Sequence, residues 1–144
     1  MKLHQLSVFL ENQPGELRPP IQALADDGIN ILTLSLADTE RFGILRLIVR
    51  DWQKAKTVLE TAGIVAKVTE VVAVEVPDRP GGLATLLGIF DQAKLNIEYM
   101  YAFTEKRGDK ALMVFRVADP DAAIRALQAS GVNVTGTVEL LNRV

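Results

Sequence analysis

The chain contains an internal repeat, and this feature limits the possible folds more than any other. A segment around Pro14-Gly15 aligns with a segment around Pro80-Gly81, which lies 66 residues further along the chain. Self-similarity at a fixed spacing indicates one structural unit that is present twice. We therefore predict two tandem domains, residues 1–70 and 71–144, although a length of 144 residues by itself suits a single domain.

The spacing of the repeat changes once along the chain. Asn30 aligns with Asn96 at a spacing of 66 residues, whereas Gly63 aligns with Gly131 at a spacing of 68 residues. The second copy therefore contains two additional residues between these points. We predict that they lie in the turn at residues 105–109.

Each copy carries the pattern of a β-α-β-β-α-β unit. Apolar residues alternate ahead of each Pro-Gly pair, as they do in half-buried strands, at Leu6, Val8 and Leu10 and at Val72, Val74 and Val76. A helical period then begins at Leu17 in the first copy and at Leu83 in the second. A hairpin and a second helix follow, and the second helix of the first copy is predicted at residues 52–62. The last strands are predicted at residues 65–68 and 134–141. This order predicts an α+β fold of two ferredoxin-like domains, each with two helices on one face of a four-stranded antiparallel sheet.

The second face of each sheet has no helix in this arrangement. Phe9, Ile48 and Val114 are predicted on these open faces, and an apolar sheet face in a domain of about 70 residues favours burial against another surface. We therefore expect the two sheets to pair edge to edge or to pack face to face. The phase of the strand that contains Leu34 and Leu36 stays open, because its two faces are nearly equally apolar.

The charge pattern argues against two classes of partner. Sixteen basic and eighteen acidic residues give a net charge of −2, and no run of basic residues is longer than Lys106-Arg107, so a nucleic-acid partner is not expected. The sequence also lacks an apolar stretch of about 18 residues that would cross a membrane, and its first residues do not resemble a signal peptide. We therefore expect a cytoplasmic protein without a membrane partner.

The sequence offers no constellation of residues for catalysis. There is no cysteine and a single histidine, so thiolate chemistry and the usual zinc ligand sets are excluded. We expect His4 to be a solvated strand residue without a role. Because no nucleophile motif, phosphate-binding loop or dinucleotide glycine pattern occurs, we predict a protein that is not an enzyme and that uses neither a metal nor another cofactor.

The turn after the first strand of each copy is the best candidate for a binding site. It leads directly into a helix N-terminus, where unpaired backbone N–H groups and the helix dipole favour an anion such as a carboxylate. Asn12 or Asp78, just before the proline, can accept a hydrogen bond from an ammonium group. These two features suit a zwitterionic amino acid. The alternative is that the turn has only a structural role, with Asn12 or Asp78 as a helix cap.

The strand, the Pro-Gly loop, the helix and the following Asn-Ile pair resemble the ACT domain, a regulatory module of amino-acid biosynthetic enzymes. Both copies match, and the chain is similar to free-standing tandem ACT proteins. The resemblance is to the type of ACT domain found in phosphoglycerate dehydrogenase. It implies that an amino acid is held between two domains, by an Asn in the first loop of one domain and an Asn at the start of the second strand of the other. Asn12, Asn30 and Asn96 match these positions. Asp78 replaces the loop Asn of the second copy, Leu10 replaces a polar His, and Glu16 replaces a small residue.

The resemblance and the loop chemistry together define two candidate clefts. One cleft is formed by the second-copy loop and completed by the first-copy asparagine: Asp78, Arg79, Pro80, Gly81, Gly82, Leu83 and Asn30. The other is the reciprocal set: Asn12, Gln13, Gly15, Glu16, Leu17 and Asn96. Asn30 and Asn96 also have a structural alternative, since asparagine tolerates the left-handed turn that follows a helix.

We predict that the first of these clefts is the stronger amino-acid site. Gly82 would allow a ligand carboxylate to approach the helix N-terminus, whereas Glu16 at the equivalent position would repel it. The function that follows is a regulatory amino-acid sensor that signals to a partner protein, either a metabolic enzyme or a second copy of the chain in a homodimer. The alternative is a protein-interaction or scaffold module that has kept the ACT fold but has lost its ligand.

Overall fold

The structure is a computed structural model and describes residues 2–136. The chain divides into two compact units, which we call the first unit, His4–Thr69, and the second unit, Met1–Leu3 with Glu70–Val144. Within the described residues no helix is long and apolar enough to cross a membrane. Each unit contains two helices and antiparallel strands, as the sequence pattern predicts.

The first unit contains strands in the order β2-β3-β1-β4. Its elements are β1 (Lys2–Glu11), α1 (Arg18–Asp26), β2 (Ile31–Thr39), β3 (Phe42–Val49), α2 (Trp52–Thr61) and the start of β4 (Ala66–Pro77). β3 pairs antiparallel with both β1 and β2. Gly28 and Gly63 follow the two helices with φ values of +69° and +79°, a conformation that glycine adopts without a steric penalty.

The second unit repeats this order with the remainder of β4 as its first strand. Its elements are α3 (Gly82–Gln92), β5 (Ile97–Arg107), β6 (Lys110–Val117), α4 (Pro120–Ala129) and β7 (Val134–Thr135). β4 pairs antiparallel with β6 and β7, and β6 pairs with β5. The predicted final strand extended to Leu141, and its part beyond residue 136 lies outside the described residues.

Each unit has its own apolar core between its helices and its sheet. The core of the first unit includes Leu6, Val8, Leu24, Leu45, Leu47 and Leu59, and that of the second includes Val72, Val74, Val76, Phe90, Phe115 and Leu127. The alternating residues of the two first strands therefore face the helices, as their pattern predicts. Leu24 and Phe90 occupy equivalent positions of the repeat and are 0% and 2% exposed.

The structure resolves the phase of β2, which the sequence left open. Leu34 and Leu36 lie opposite Leu47 and Leu45 of β3, so they share the face that carries the helices, yet they are 47% and 55% exposed. β2 is at the edge of its sheet, where the two helices leave these side chains uncovered. We predicted Phe9, Ile48 and Val114 on the sheet faces that carry no helix. Phe9 is exposed, whereas Ile48 and Val114 are buried and belong to neither helix-side core.

The two-residue insertion lies in β5 and not in the turn where we predicted it. Ala102 is opposite Met113, but Lys106 is opposite Ala111. Between these two pairs, β5 therefore contains two more residues than β6. The turn at Gly108 stays as short as its counterpart in the first copy, because the additional residues form an irregularity of the strand.

His4 is not the solvated strand residue that we expected. Its ring stacks on the indole of Trp52, the first residue of α2, with 4.8 Å between ring centroids and an angle of 21° between the planes. Both side chains are half-buried. His4 therefore helps to attach α2 to the sheet.

One buried hydroxyl group yields a stability prediction. Thr135 is fully buried, and its Oγ1 has no hydrogen-bond partner. Since an unsatisfied buried polar group costs about 1–3 kcal/mol, we expect Thr135→Val to raise the free energy of unfolding by about 1 kcal/mol in chemical denaturation. Thr57→Val is the control, because the exposed Thr57 hydroxyl donates to the Gln53 carbonyl and its loss should give no gain. A destabilised Thr135→Val variant would contradict the assignment.

Candidate functional site

The loop of the second unit begins where β4 ends, at Asp78. The backbone N–H of Asp78 donates to the Asp109 carbonyl at 2.8 Å, and its carboxylate forms an ion pair with Lys106. Both side chains are substantially exposed, so water screens this pair and a ligand ammonium group would have to compete with Lys106 for the same carboxylate.

A tight turn follows and sets the direction of α3. The Gly82 N–H donates to the Arg79 carbonyl at 3.0 Å, with Pro80 and Gly81 at the two central positions. Gly81 has φ +86° and ψ −12°, the values of the third residue of a type II turn, where a side chain would be strained. In the first copy the Glu16 N–H donates to the Gln13 carbonyl, and Gly15 has φ +88°. The Pro-Gly pair therefore makes the same turn in both copies.

Gly82 has a structural reason to be glycine, in addition to the ligand approach that we predicted. A Cβ atom added to Gly82 would lie 2.1 Å from the Pro77 carbonyl oxygen, a backbone atom that cannot rotate away. The residue is buried, so its lack of a side chain allows α3 to start directly against the end of β4. The close approach of a ligand carboxylate is not needed to explain this glycine.

The helices that follow the two loops lack a side-chain cap, unlike the second helix of each unit. Asp51 accepts a hydrogen bond from the Lys54 N–H at the start of α2, and Asp119 accepts one from the Ala122 N–H at the start of α4. The starts of α1 and α3 receive no such bond. The alternative that Asn12 or Asp78 acts as a helix cap is therefore wrong.

When the two copies are aligned, α1 starts two residues later than α3. The first hydrogen bond of α3 runs from the Thr85 N–H to the Gly81 carbonyl, and the counterpart of Thr85 is Pro19, which has no N–H to donate. α1 therefore begins at Arg18, with Leu17 as its N-cap residue. Glu16 therefore precedes the helix, whereas its counterpart Gly82 is the first residue of α3. The missing N–H of Pro19 is visible in the sequence and is the local reason for this difference.

A cavity of about 290 Å³ lies beside the loop of the second unit, close to the lower limit for small-molecule sites of about 300 Å³. It is lined by Arg79, Pro80, Gly81 and Gly82 of the loop, by Thr85, Leu86 and Ile89 of α3, and by Glu75, Pro77 and Val132. The structure thus brings four of the predicted loop residues together. Asp78 is not part of the lining, and Leu83 packs against the core.

The first unit has a cavity of similar volume, about 290 Å³, but with different chemistry. Predicted residues Asn12, Gln13, Glu16 and Leu17 line it together with Leu10, Glu11, Leu36, Ala37, Asp38 and Gly43. The side chains of Glu16 and Asp38 add negative charge to this lining, which includes no cationic residue, so an anion is disfavoured. Within residues 2–136, no group of three potential ligand side chains could hold a metal ion. Gly15 lines a separate, open depression with Arg18.

The three predicted asparagines have different surroundings. Asn12 is exposed, and its side-chain amide donates to the Glu40 carbonyl at 3.1 Å, which attaches the loop to the turn between β2 and β3. Asn30 and Asn96 are exposed immediately before β2 and β5. Among the described non-glycine residues, positive φ angles occur at Glu40 and Lys94, so the left-handed alternative for Asn30 and Asn96 is wrong. The ligand role of these two residues stays a prediction.

Sequence reasoning missed the part of the second cavity that α3 forms. Thr85, Leu86 and Ile89 follow Gly82 at intervals of three and four residues, so they share one face of α3. This spacing is visible in the sequence, but it is also the spacing of an ordinary core face. Only the packed structure shows that a cavity lies against part of this face.

Comparisons with known proteins agree with this architecture. The family described as an ACT domain pair matches residues 1–138. The structure of protein BT0572 from Bacteroides thetaiotaomicron is 36% identical and has a TM-score of 0.90, with 97% of this chain and 96% of that chain covered. A search of curated protein sequences finds no match.

Two further solved structures have the same fold at lower identity. The regulatory subunit of aspartate kinase from Thermus thermophilus is 19% identical with a TM-score of 0.62, covering 90% of this chain and 93% of that one. The corresponding subunit from Thermus flavus is 21% identical with a TM-score of 0.60, covering 91% and 94%. Together with the match over residues 1–138, the repeated Pro-Gly loops and paired units establish that this chain belongs to the ACT domain pair family.

Proposed function

We propose that the protein is a regulatory, non-catalytic sensor that binds an amino acid at the loop of the second unit and signals to a partner protein. The observation that carries this proposal is the cavity at the uncapped start of α3. A ligand carboxylate placed there would meet the positive end of the helix dipole and could pair with Arg79, one of the residues that line the same cavity.

The second-copy loop is the better site for a carboxylate. The lining of the first-unit cavity includes Glu16 and Asp38, whose charges oppose an anion, and Pro19 and Pro20 remove two N–H groups from the first turn of α1. The second-copy cavity contains Arg79 instead. We therefore propose the second-copy loop as the principal site, and the contribution of Asn30 to it stays a prediction, as does that of Asn96 to the first-copy loop.

Isothermal titration calorimetry of the full chain with each of the twenty amino acids tests the proposal. We expect saturable binding by one chemical group of amino acids. Arg79→Ala should weaken it by about tenfold to a hundredfold, because a hydrogen bond to a charged group contributes about 1.5–3 kcal/mol. Arg18→Ala, at the start of α1, is the matched control and should leave binding unchanged. Equal losses in both variants would remove the preference for the second-copy loop.

The ion pair between Asp78 and Lys106 gives a test of the ammonium contact. An exposed pair contributes at most about 1 kcal/mol, so Lys106→Met should release Asp78 and tighten amino-acid binding by about twofold to fivefold. The des-amino analogue of the same ligand should bind much more weakly than the parent and should gain nothing from Lys106→Met. Equal affinity for the two ligands would exclude Asp78 from the site.

The regulatory part of the proposal is an analogy with related structures. The two Thermus proteins share the fold of this chain and are named as regulatory subunits of aspartate kinase. We propose by analogy that the partner is a metabolic enzyme or a second copy of this chain. Pull-down of candidate enzymes with and without the ligand identified by calorimetry would test whether binding changes association.

A protein-interaction module without a ligand is the second candidate function. It is favoured by Leu34 and Leu36, which are exposed on the edge strand β2, since exposed apolar edges are common at protein interfaces. The same titrations separate the two functions. A sensor gives saturable heat with one group of amino acids, whereas a scaffold gives none with any of them.

A further inference from the structure

The cavity of the second unit has a polar mouth and an apolar interior. Arg79 and Thr85 are exposed at its entrance, whereas Leu86 is buried and Ile89 and Val132 are half-buried along its wall. Leu86 belongs to the core of the unit, and Ile89 and Val132 pack against that core. A ligand that enters from the loop therefore meets charge first and hydrocarbon beyond it.

Glu75 does not add a negative charge to this interior, although it is part of the lining. Val74 and Val76, on either side of it in β4, face the helix-side core. Side chains alternate along a strand, so the Glu75 side chain lies on the opposite face, where its carboxylate is 3.8 Å from the Lys110 ammonium group. The Glu75 contribution to the cavity is its backbone.

The first copy does not repeat this helix wall. The positions equivalent to Thr85, Leu86 and Ile89 in the repeat are Pro19, Pro20 and Ala23, and none of these three residues lines the cavity of the first unit. A volume of about 290 Å³ is small beside the range of about 300–1,000 Å³ for ligand pockets. It suits a single small amino acid better than a nucleotide or a larger cofactor.

From this wall we infer that the amino acid sensed at the second-copy loop has a branched aliphatic side chain, of the size of valine, leucine or isoleucine. The inference rests on the proposed function of the same site. The backbone carboxylate would remain at Arg79 and the start of α3, while the side chain would lie against Leu86, Ile89 and Val132. A charged or strongly polar side chain would lose its hydration there without gaining a partner.

The test is calorimetric titration of the full chain with leucine, isoleucine, valine, alanine, serine, aspartate and lysine. We expect the best of the branched ligands to bind at least about tenfold more tightly than alanine, since a single methylene in an apolar pocket changes selectivity by about tenfold or more. Serine, aspartate and lysine should bind more weakly still. This comparison uses the unmodified protein and does not depend on the folding of any variant.

A variant with a larger side chain in the cavity tests where the ligand side chain lies. Ile89→Phe should weaken binding of the best branched ligand at least tenfold and affect alanine much less. Leu87→Phe is the matched control on the same helix, because Leu87 packs against the core and is not part of the lining, and it should leave the preference intact. Circular dichroism would establish that both variants are folded.

The outcomes separate this inference from the proposed function. Saturable binding with a preference for polar or charged amino acids overturns the aliphatic assignment and leaves the sensor function standing. An unchanged preference in folded Ile89→Phe overturns the location of the side chain. Absence of binding by all twenty amino acids overturns both proposals.

Discussion

The variant Gly82→Ala is expected to lose about 3 kcal/mol or more of its free energy of unfolding, at or beyond the upper end of ordinary overpacking effects. The added Cβ would lie 2.1 Å from the Pro77 carbonyl oxygen and 3.1 Å from the carbonyl carbon. Relief of this contact requires α3 to move away from β4, because no side-chain rotation can provide it. Chemical denaturation followed by circular dichroism measures the loss.

Gly88→Ala is the control for this variant. Gly88 lies in the same helix, and a Cβ added there meets nothing within 4 Å. In a helix interior, alanine is more stable than glycine by about 0.5–1 kcal/mol, so Gly88→Ala should be stabilising. A loss below 1 kcal/mol in Gly82→Ala, or a similar effect of both variants, would contradict the proposed contact.

Phe90→Ala should lower the free energy of unfolding by about 3–5 kcal/mol, the range for truncation of a buried aromatic residue. Phe90 is 2% exposed in the core of the second unit. Its ring also packs against that of Phe115, with 5.2 Å between centroids and a tilt of 33°, and this aromatic pair adds to the loss.

Two further truncations calibrate this result. Leu24→Ala removes the equivalent side chain of the first unit and should cost about 2–5 kcal/mol. Leu34→Ala removes a leucine that is 47% exposed and should stay within about 1 kcal/mol of the unmodified protein. A loss for Phe90→Ala no larger than that for Leu34→Ala would contradict the assignment of Phe90 to the core.

The order of the elements and the conformation of both loops could be predicted from the sequence. The alternation of Val72, Val74 and Val76 identifies the face of a strand that is buried, because successive side chains point to opposite faces. Pro80-Gly81 specifies the turn for an equally local reason, since proline restricts φ and glycine tolerates a positive φ. The late start of α1 was also encoded locally, by the missing N–H of Pro19.

Other features of the site depend on residues that are distant in the sequence. The carboxylate of Asp78 pairs with Lys106, and their contact exists only because the end of β4 lies beside the hairpin of β5 and β6. Likewise the cavity requires Val132 to approach Leu86 and Ile89 of α3. Apolar spacing along a helix cannot distinguish a filled core from a cavity, because both present the same residues at the same intervals.

The repeat, the order of the elements and the shape of the two Pro-Gly loops therefore follow from the sequence alone, since each depends on the chemistry of neighbouring residues. The packed structure was needed to explain why residue 82 is glycine, which charges are already paired, and which of the two cavities lies beside an arginine. The physical reason is that these properties depend on distances between backbone and side-chain atoms of different elements. Helix and sheet packing establishes those distances after the local patterns have been satisfied.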